Sequence, residues 1–220
     1  NSTAVGFEAE AVGIFSQAIG TNATATGACS IAIGKNASAS GTEAFAVGDR
    51  SSASERKTIA IGAEADASGK TGAIAIGGSS IANEESSLAL GYLAKATGKQ
   101  SLAVGVRSEA TEIHAIALGC SAKATASEAI AIGREALATG QSISIGATAN
   151  SIGTDDIAIG RGAKATSSQN SIAIGAAAVV SGSGKAVAIG QSAKSSGQYA
   201  YALGHDTQST ASGSFAIGTQ

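Results

Sequence analysis

Apolar and polar residues alternate with period two in short runs along this chain, and the runs recur. The segment Ser30-Ile31-Ala32-Ile33-Gly34-Lys35-Asn36-Ala37-Ser38-Ala39-Ser40-Gly41 shows the unit. A small-aliphatic-Gly tripeptide closes its first half and appears sixteen times, at Gly6, Gly20, Gly34 and onward to Gly218. Of the fifteen intervals between these glycines, eleven span 14 residues, three span 15 and one spans 13. Self-similarity at a fixed period is the mark of a repeat architecture. Successive side chains on a strand point to opposite faces, so the alternation predicts strands, and the β-branched Ile and Val of the first half agree. Glycine at about every seventh position opposes a helix. Each repeat therefore predicts two short strands and two turns. The turns fall at the Gly34-like positions and at a second set that includes Gly13, Gly27 and Gly41, where a positive φ is tolerated.

Two strands and two turns in 14 residues make one coil of a solenoid whose neighbouring coils pair as parallel strands about 4.8 Å apart. Other solenoid templates fit poorly. Hexapeptide left-handed helices need three-sided coils of about 18 residues, and calcium-binding rolls need Gly-Gly-x-Gly-x-Asp nonapeptides that are missing here. The expected fold is all-β: one two-sided parallel β-roll over residues 1–220, of about fifteen to sixteen coils.

Each column of the repeat then receives a role. The residue before the marker glycine is aliphatic in all sixteen copies, and the residue two earlier is apolar in all but Thr3 and Gln17. Bulk and hydrophobicity place both columns inside the coil, facing Ala37, Ala39 and their equivalents. The residue between them is Ala in fifteen copies, Ser144 being the exception. Alternation points it outward, yet it does not vary as a wetted position would. Ala32, Ala46, Ala60, Ala75, Ala89, Ala103, Ala117 and Ala131 are therefore the candidate interface between copies of the chain.

The Ser-Ile-Ala-Ile-Gly-x-x-Ala-x-Ala-x-Gly unit resembles the head repeat of the trimeric autotransporter adhesins, the YadA-like heads of Gram-negative bacteria, over essentially all 220 residues. The resemblance implies a left-handed parallel β-roll and three chains around one axis. It also implies display on the bacterial surface above a coiled-coil stalk and a membrane-anchored barrel, binding to host matrix proteins or cell-surface receptors, and autoaggregation. Neither stalk nor C-terminal anchor can be read in these residues, so the chain is expected to be a piece of a longer protein, attached to the outer membrane only through that anchor. Gln17 and Thr3 mark the first coils as a degenerate cap.

Composition agrees with a thin body. The mass is 21.0 kDa for 220 residues, about 95 Da each, with 30 Gly, no Pro, no Trp and no Met. Hydrophobic residues make up 44% of the chain and the net charge is −2. Disorder, which needs low hydrophobicity and high net charge, is excluded on both counts. The charge balance also removes general attraction to nucleic acid.

Chemistry is sparse. His114 and His205 lie about six coils apart, roughly 30 Å at the coil spacing, and cannot share a site. Cys29 and Cys120 are similarly separated, beyond the reach of an intrachain disulfide. Gly182-Ser183-Gly184-Lys185-Ala186 lacks the leading Gly and the trailing Ser or Thr of a phosphate loop. No catalytic residue, metal or cofactor is expected. Candidate ligand contacts are Ile81 and Leu93, apolar at outward positions of adjacent coils, and Arg161, Lys164 and Lys194, in a stretch without acids. The lengthened turns near Gly72, Ser168 to Ser171 and Ser183 to Ala186 are further contact points. A competing role is an ice-binding or purely structural solenoid, although Thr24, Ser38, Ser52 and Asp66 form no unbroken Thr rank.

Overall fold

The structure, a computed structural model, describes all residues except Ser168, Ser183 and Gln220. The lengthened turns expected at Ser168 and Ser183 therefore lie partly outside the described residues. Among the described residues it contains thirty-one strands and no helix, and it divides into two compact units, Asn1–Ile113 and His114–Gln220.

In the first unit, three-residue strands from Thr3–Val5 to Leu102–Val104 stack as one parallel sheet, and two-residue strands from Glu10–Ala11 to Glu109–Ala110 stack as a second. The second unit repeats the plan, from Ile116–Leu118 to Phe215–Ile217 and from Lys123–Ala124 to Gln208–Ser209. Like pairs with like: Ile31 with Phe45, Ala32 with Ala46, Ile33 with Val47. The parallel β-solenoid read from the period is thus the fold observed.

Both turns of a coil are closed by an i to i+3 hydrogen bond, Ala37 N to Gly34 O (3.3 Å) and Ala44 N to Gly41 O (3.2 Å). Their left-handed residue is not the glycine of the second set. Asn36 (φ 55°) and Glu43 (φ 60°) take that conformation, and each then donates its N–H to the turn one coil back, Asn36 to Thr21 O at 2.9 Å and Glu43 to Ala28 O at 2.8 Å. Left-handed backbone costs an L-residue roughly 1–2 kcal/mol, so the stacked turn bond is what makes it tolerable. Gly34 itself sits at φ 130°, a region open essentially to glycine alone. Gly41 has no positive φ; it is small because a Cβ there would lie 2.1 Å from the carbonyl oxygen of Glu55 in the next coil.

The core reverses one expectation. Ala32 is fully buried inside its own coil, as are Ala46, Ala60, Ala75, Ala89, Ala103, Ala117 and Ala131, all at 0% exposure. The flanking Ile31 and Ile33 are instead half-buried on the outer face. The candidate interface alanines are therefore core residues and meet no other chain. Period two fixes which residues share a face, but not which face is inside, and the bulk of Ile misdirected the choice. A coil with two-residue turns between its sheets has an interior that Ser30, Ala32, Ala37 and Ala39 already fill, all at 0% exposure. Hydroxyls in this narrow core turn back on the chain: Ser30 Oγ donates to Gly27 O at 2.7 Å, and Thr58 Oγ1 to Glu55 O at 2.7 Å. The expected inward position of Ala37 and Ala39 stands. At the start of the chain, Thr3, Ala4 and Val5 are all exposed.

Candidate functional site

With the alanines inside, the outer surface of each unit consists of two sheet faces and two stacks of turns. The face of the long strands carries two side-chain columns. In the first unit they run from Ile31 to Leu102 and from Ile33 to Val104, and in the second from Ile116 to Val187 and from Leu118 to Leu203. Neither column contains a charged residue in either unit. Most members are half-buried, while Leu90, Leu118 and Ile189 are 38–41% exposed. Strand geometry forces this pattern: with Ala pointing in, both of its neighbours must point out. The result is a double aliphatic row on a flat sheet, far longer than the scattered apolar residues a wetted surface tolerates.

The face of the short strands is different. Its single outward column reads Glu10, Thr24, Ser38, Ser52, Asp66, Ile81, Lys95 and Glu109 in the first unit, with no rank of Thr. Ile81 is half-buried there, in register between Asp66 and Lys95. Leu93 does not share that column. It occupies the left-handed position of a turn, at φ 58°, so the two residues do not form the paired outward patch expected of them. In the second unit Lys164 and Lys194 are exposed and flank Val179 in register, and Arg161 is exposed on the adjoining turn.

One turn stack of the first unit carries most of the ionic contacts. Lys70 Nζ lies 2.6 Å from Glu84, Lys99 Nζ 2.8 Å from Glu85 and Lys57 Nζ 3.8 Å from Glu43, each pair joining neighbouring coils. The Lys70 hydrogen bond holds the Glu84 carboxyl below the usual range, and the bond to Glu85 raises Lys99. Such exposed pairs align coils without contributing much stability.

The second unit holds a buried polar cluster that sequence reasoning passed over. Ser144, the one departure from Ala in its column, faces Ser151; their hydroxyls are 2.7 Å apart, Ser144 Oγ also donates to Leu137 O at 2.6 Å, and Ser151 Oγ donates to Ser142 Oγ at 2.8 Å. One coil on, Asp156 is fully buried and accepts from Gly153 N (3.0 Å), Ser171 N (2.8 Å) and Ser167 Oγ (3.4 Å). Burial raises its pKa, a shift the backbone donors oppose. Part of the sequence signal was available: the Ala columns of Ser144 and Ser151 both turn to Ser within one coil.

His205 Nδ1 meets only its neighbour Asp206, at 3.0 Å on the surface, and both cysteines are free and exposed. No group of three or more His, Cys, Asp or Glu among the described residues is placed to hold a metal. What the surface offers is faces for contact, an aliphatic one and a polar one.

No curated protein matches the chain. The family model described as the YadA head domain repeat (2 copies) does, at residues 1–23, 11–37, 39–65, 67–94, 96–122, 110–136, 140–163, 151–178, 167–193, 184–200 and 195–220.

Proposed function

Because the chain belongs to the YadA head domain repeat family along its length, we propose that it is the head of a trimeric bacterial surface adhesin, binding host matrix proteins or cell-surface receptors and promoting autoaggregation, without catalysis. The single observation that carries the reading is the uncharged aliphatic double column on the long-strand face. A sheet face free to meet water would admit Lys, Glu and Thr, as the short-strand face does. The aliphatic one is kept apolar coil after coil because copies of the chain cover it. Covering the remaining exposed part of each such side chain is worth roughly 0.5–1 kcal/mol, and the rows supply many. Three copies joined in this way present their short-strand faces and turns outward, and Ile81, Leu93, Arg161, Lys164 and Lys194 become available to a ligand.

The test is a solid-phase binding series with purified protein on immobilised host matrix proteins and on cultured cells. Saturable binding by the assembled protein supports the adhesin reading. Absence of binding to every surface, from protein shown to be assembled, overturns it.

A further inference from the structure

The charge balance of the surface changes between the units. In the first, four cations of the turn stacks, Arg50, Lys57, Lys70 and Lys99, each have a carboxylate of a neighbouring coil within 2.6–3.8 Å, and Lys95 on the short-strand face stands in register beside Glu109. In the second, Arg161, Lys164 and Lys194 are exposed and none of them is in an ion pair among the described residues. Residues 157–205 contain no Asp or Glu. The nearest acid further along is Asp206, engaged by His205 at 3.0 Å. Lys185, the remaining cation of this stretch, stands over the ring of Tyr199 at 5.9 Å from its centroid and belongs to the other turn stack.

The three cations are also spaced. Lys164 and Lys194 occupy one column two coils apart, about 9.6 Å at the strand spacing, and the coil between them presents Val179 with Ala176 and Ala177 on its turn. Long basic side chains thus flank a strip of short ones, forming a shallow channel with Arg161 at one corner. Exposed Ser181 and Ser196, two residues beyond Val179 and Lys194, add hydroxyls beside it, and exposed Gln208 continues the column with an amide.

From this geometry we infer that the channel of Arg161, Lys164 and Lys194 binds a sulfated polysaccharide chain. Uncompensated cations repeating along a flat face match a polymer of regularly spaced anions, whereas an apolar peptide would need a pocket for an anchoring side chain. Hydroxyl and amide neighbours suit sugar hydroxyls. The channel has no aromatic side chain on which a nucleic-acid base would stack, which argues against single-stranded DNA or RNA. The inference rests on the adhesin reading, since assembly through the long-strand face is what leaves this face outward; three copies would engage one polymer with added avidity.

The experiment compares the protein with the triple variant Arg161→Gln/Lys164→Gln/Lys194→Gln on immobilised heparin, in steps of salt. A control variant, Lys57→Gln/Lys70→Gln/Lys99→Gln, removes the same charge from the first unit. The channel variant should lose on the order of tenfold or more in affinity at about 0.1 M salt, and the wild-type affinity should fall steeply as salt rises. The control should bind like the wild type, and desulfated heparin should bind to neither. Equal binding by the channel variant, an equal loss in the control, or equally tight binding of single-stranded DNA overturns the inference. Parallel wells coated with matrix protein free of glycosaminoglycan separate the two readings. Binding there with none to heparin ends the inference alone, and binding to neither ends both.

Discussion

The two units of this chain are variations on one coil, and they solve the same packing problem differently. In Asn1–Ile113 the marker glycines keep to 14 residues with one 15-residue exception, the core is mainly Ala with Ser or Thr at intervals, most of whose hydroxyls bond to a carbonyl of their own turn while those of Ser16 and Ser101 have no hydrogen-bond partner among the described residues, and ions pair across coils on the surface. In His114–Gln220 the intervals include the single 13 and two 15s. There buried side chains bond to one another: Ser142, Ser144 and Ser151 are linked through their hydroxyls, and Asp156 caps two backbone N–H groups. The 13-residue coil is where this network lies. Its second turn, at Gly140–Gln141, has no left-handed residue, yet the following strand keeps its register, Ser144 against Ala131, and inside the coil Ser142 and Ser144 bond to Ser151. Spacing alone does not force the difference, since the 15-residue interval between Gly62 and Gly77 keeps Ala60 in register with Ala75 inside an Ala core.

That contrast can be broken by exchanging residues between the units. Ser144→Ala removes one partner of a buried network and should destabilise the second unit by about 1–2 kcal/mol, read as a shift of its thermal transition by circular dichroism. Replacing both partners, Ser144→Ala with Ser151→Ala, should recover part of that loss, because matched apolar pairs leave fewer donors stranded. Conversely, Ala75→Ser places a hydroxyl in a 0%-exposed column with Ala neighbours in both adjoining coils and should cost about 1–3 kcal/mol. If Ala75→Ser proved neutral, the distinction between the cores would be unfounded.

A smaller effect is expected from acid. Burial raises the Asp156 pKa in the folded chain, so the folded state holds this proton more tightly than the unfolded one. The corresponding stability is fully present below the ordinary carboxylate pKa and is lost as pH rises through the raised value. Compared with Asp156→Asn, which cannot titrate, the wild type should therefore gain stability as pH is lowered from neutral through that window. A difference between the two proteins that is flat with pH, or that runs the other way, would show that the backbone donors outweigh burial.

Much of this architecture is legible in the residues. The period gave the coils, the alternation the strands and the glycines the turns, because each follows from backbone geometry that one chain must satisfy alone. The side of the sheet did not follow. Ile31 and Ile33 are the largest apolar residues of their coil, and in an isolated globule they would be its core; here that property is used on the outside, where a single chain has nothing to cover them. The small columns Ser30, Ala32, Ala37 and Ala39, uniform in both halves of the coil, were the better guide to the interior. The Asp156 cluster was hidden for another reason: its donors come from residues 153, 167 and 171, brought together only once the irregular coils are stacked.

The reversed assignment of inside and outside is tested most directly by sedimentation of three proteins: wild type, Ile61→Asp/Ile76→Asp and Ala75→Asp. Ile61 and Ile76 pair in register on the aliphatic face, and Ala75 lies between Ile74 and Ile76 but inside. The account predicts a wild-type trimer at micromolar concentration, a folded monomer for the double isoleucine variant with its β-sheet spectrum intact, and loss of folding for Ala75→Asp, since an isolated buried carboxylate costs several kcal/mol. A wild type that sediments only as a monomer, an isoleucine variant that remains trimeric, or an Ala75→Asp protein that folds while losing assembly would contradict it.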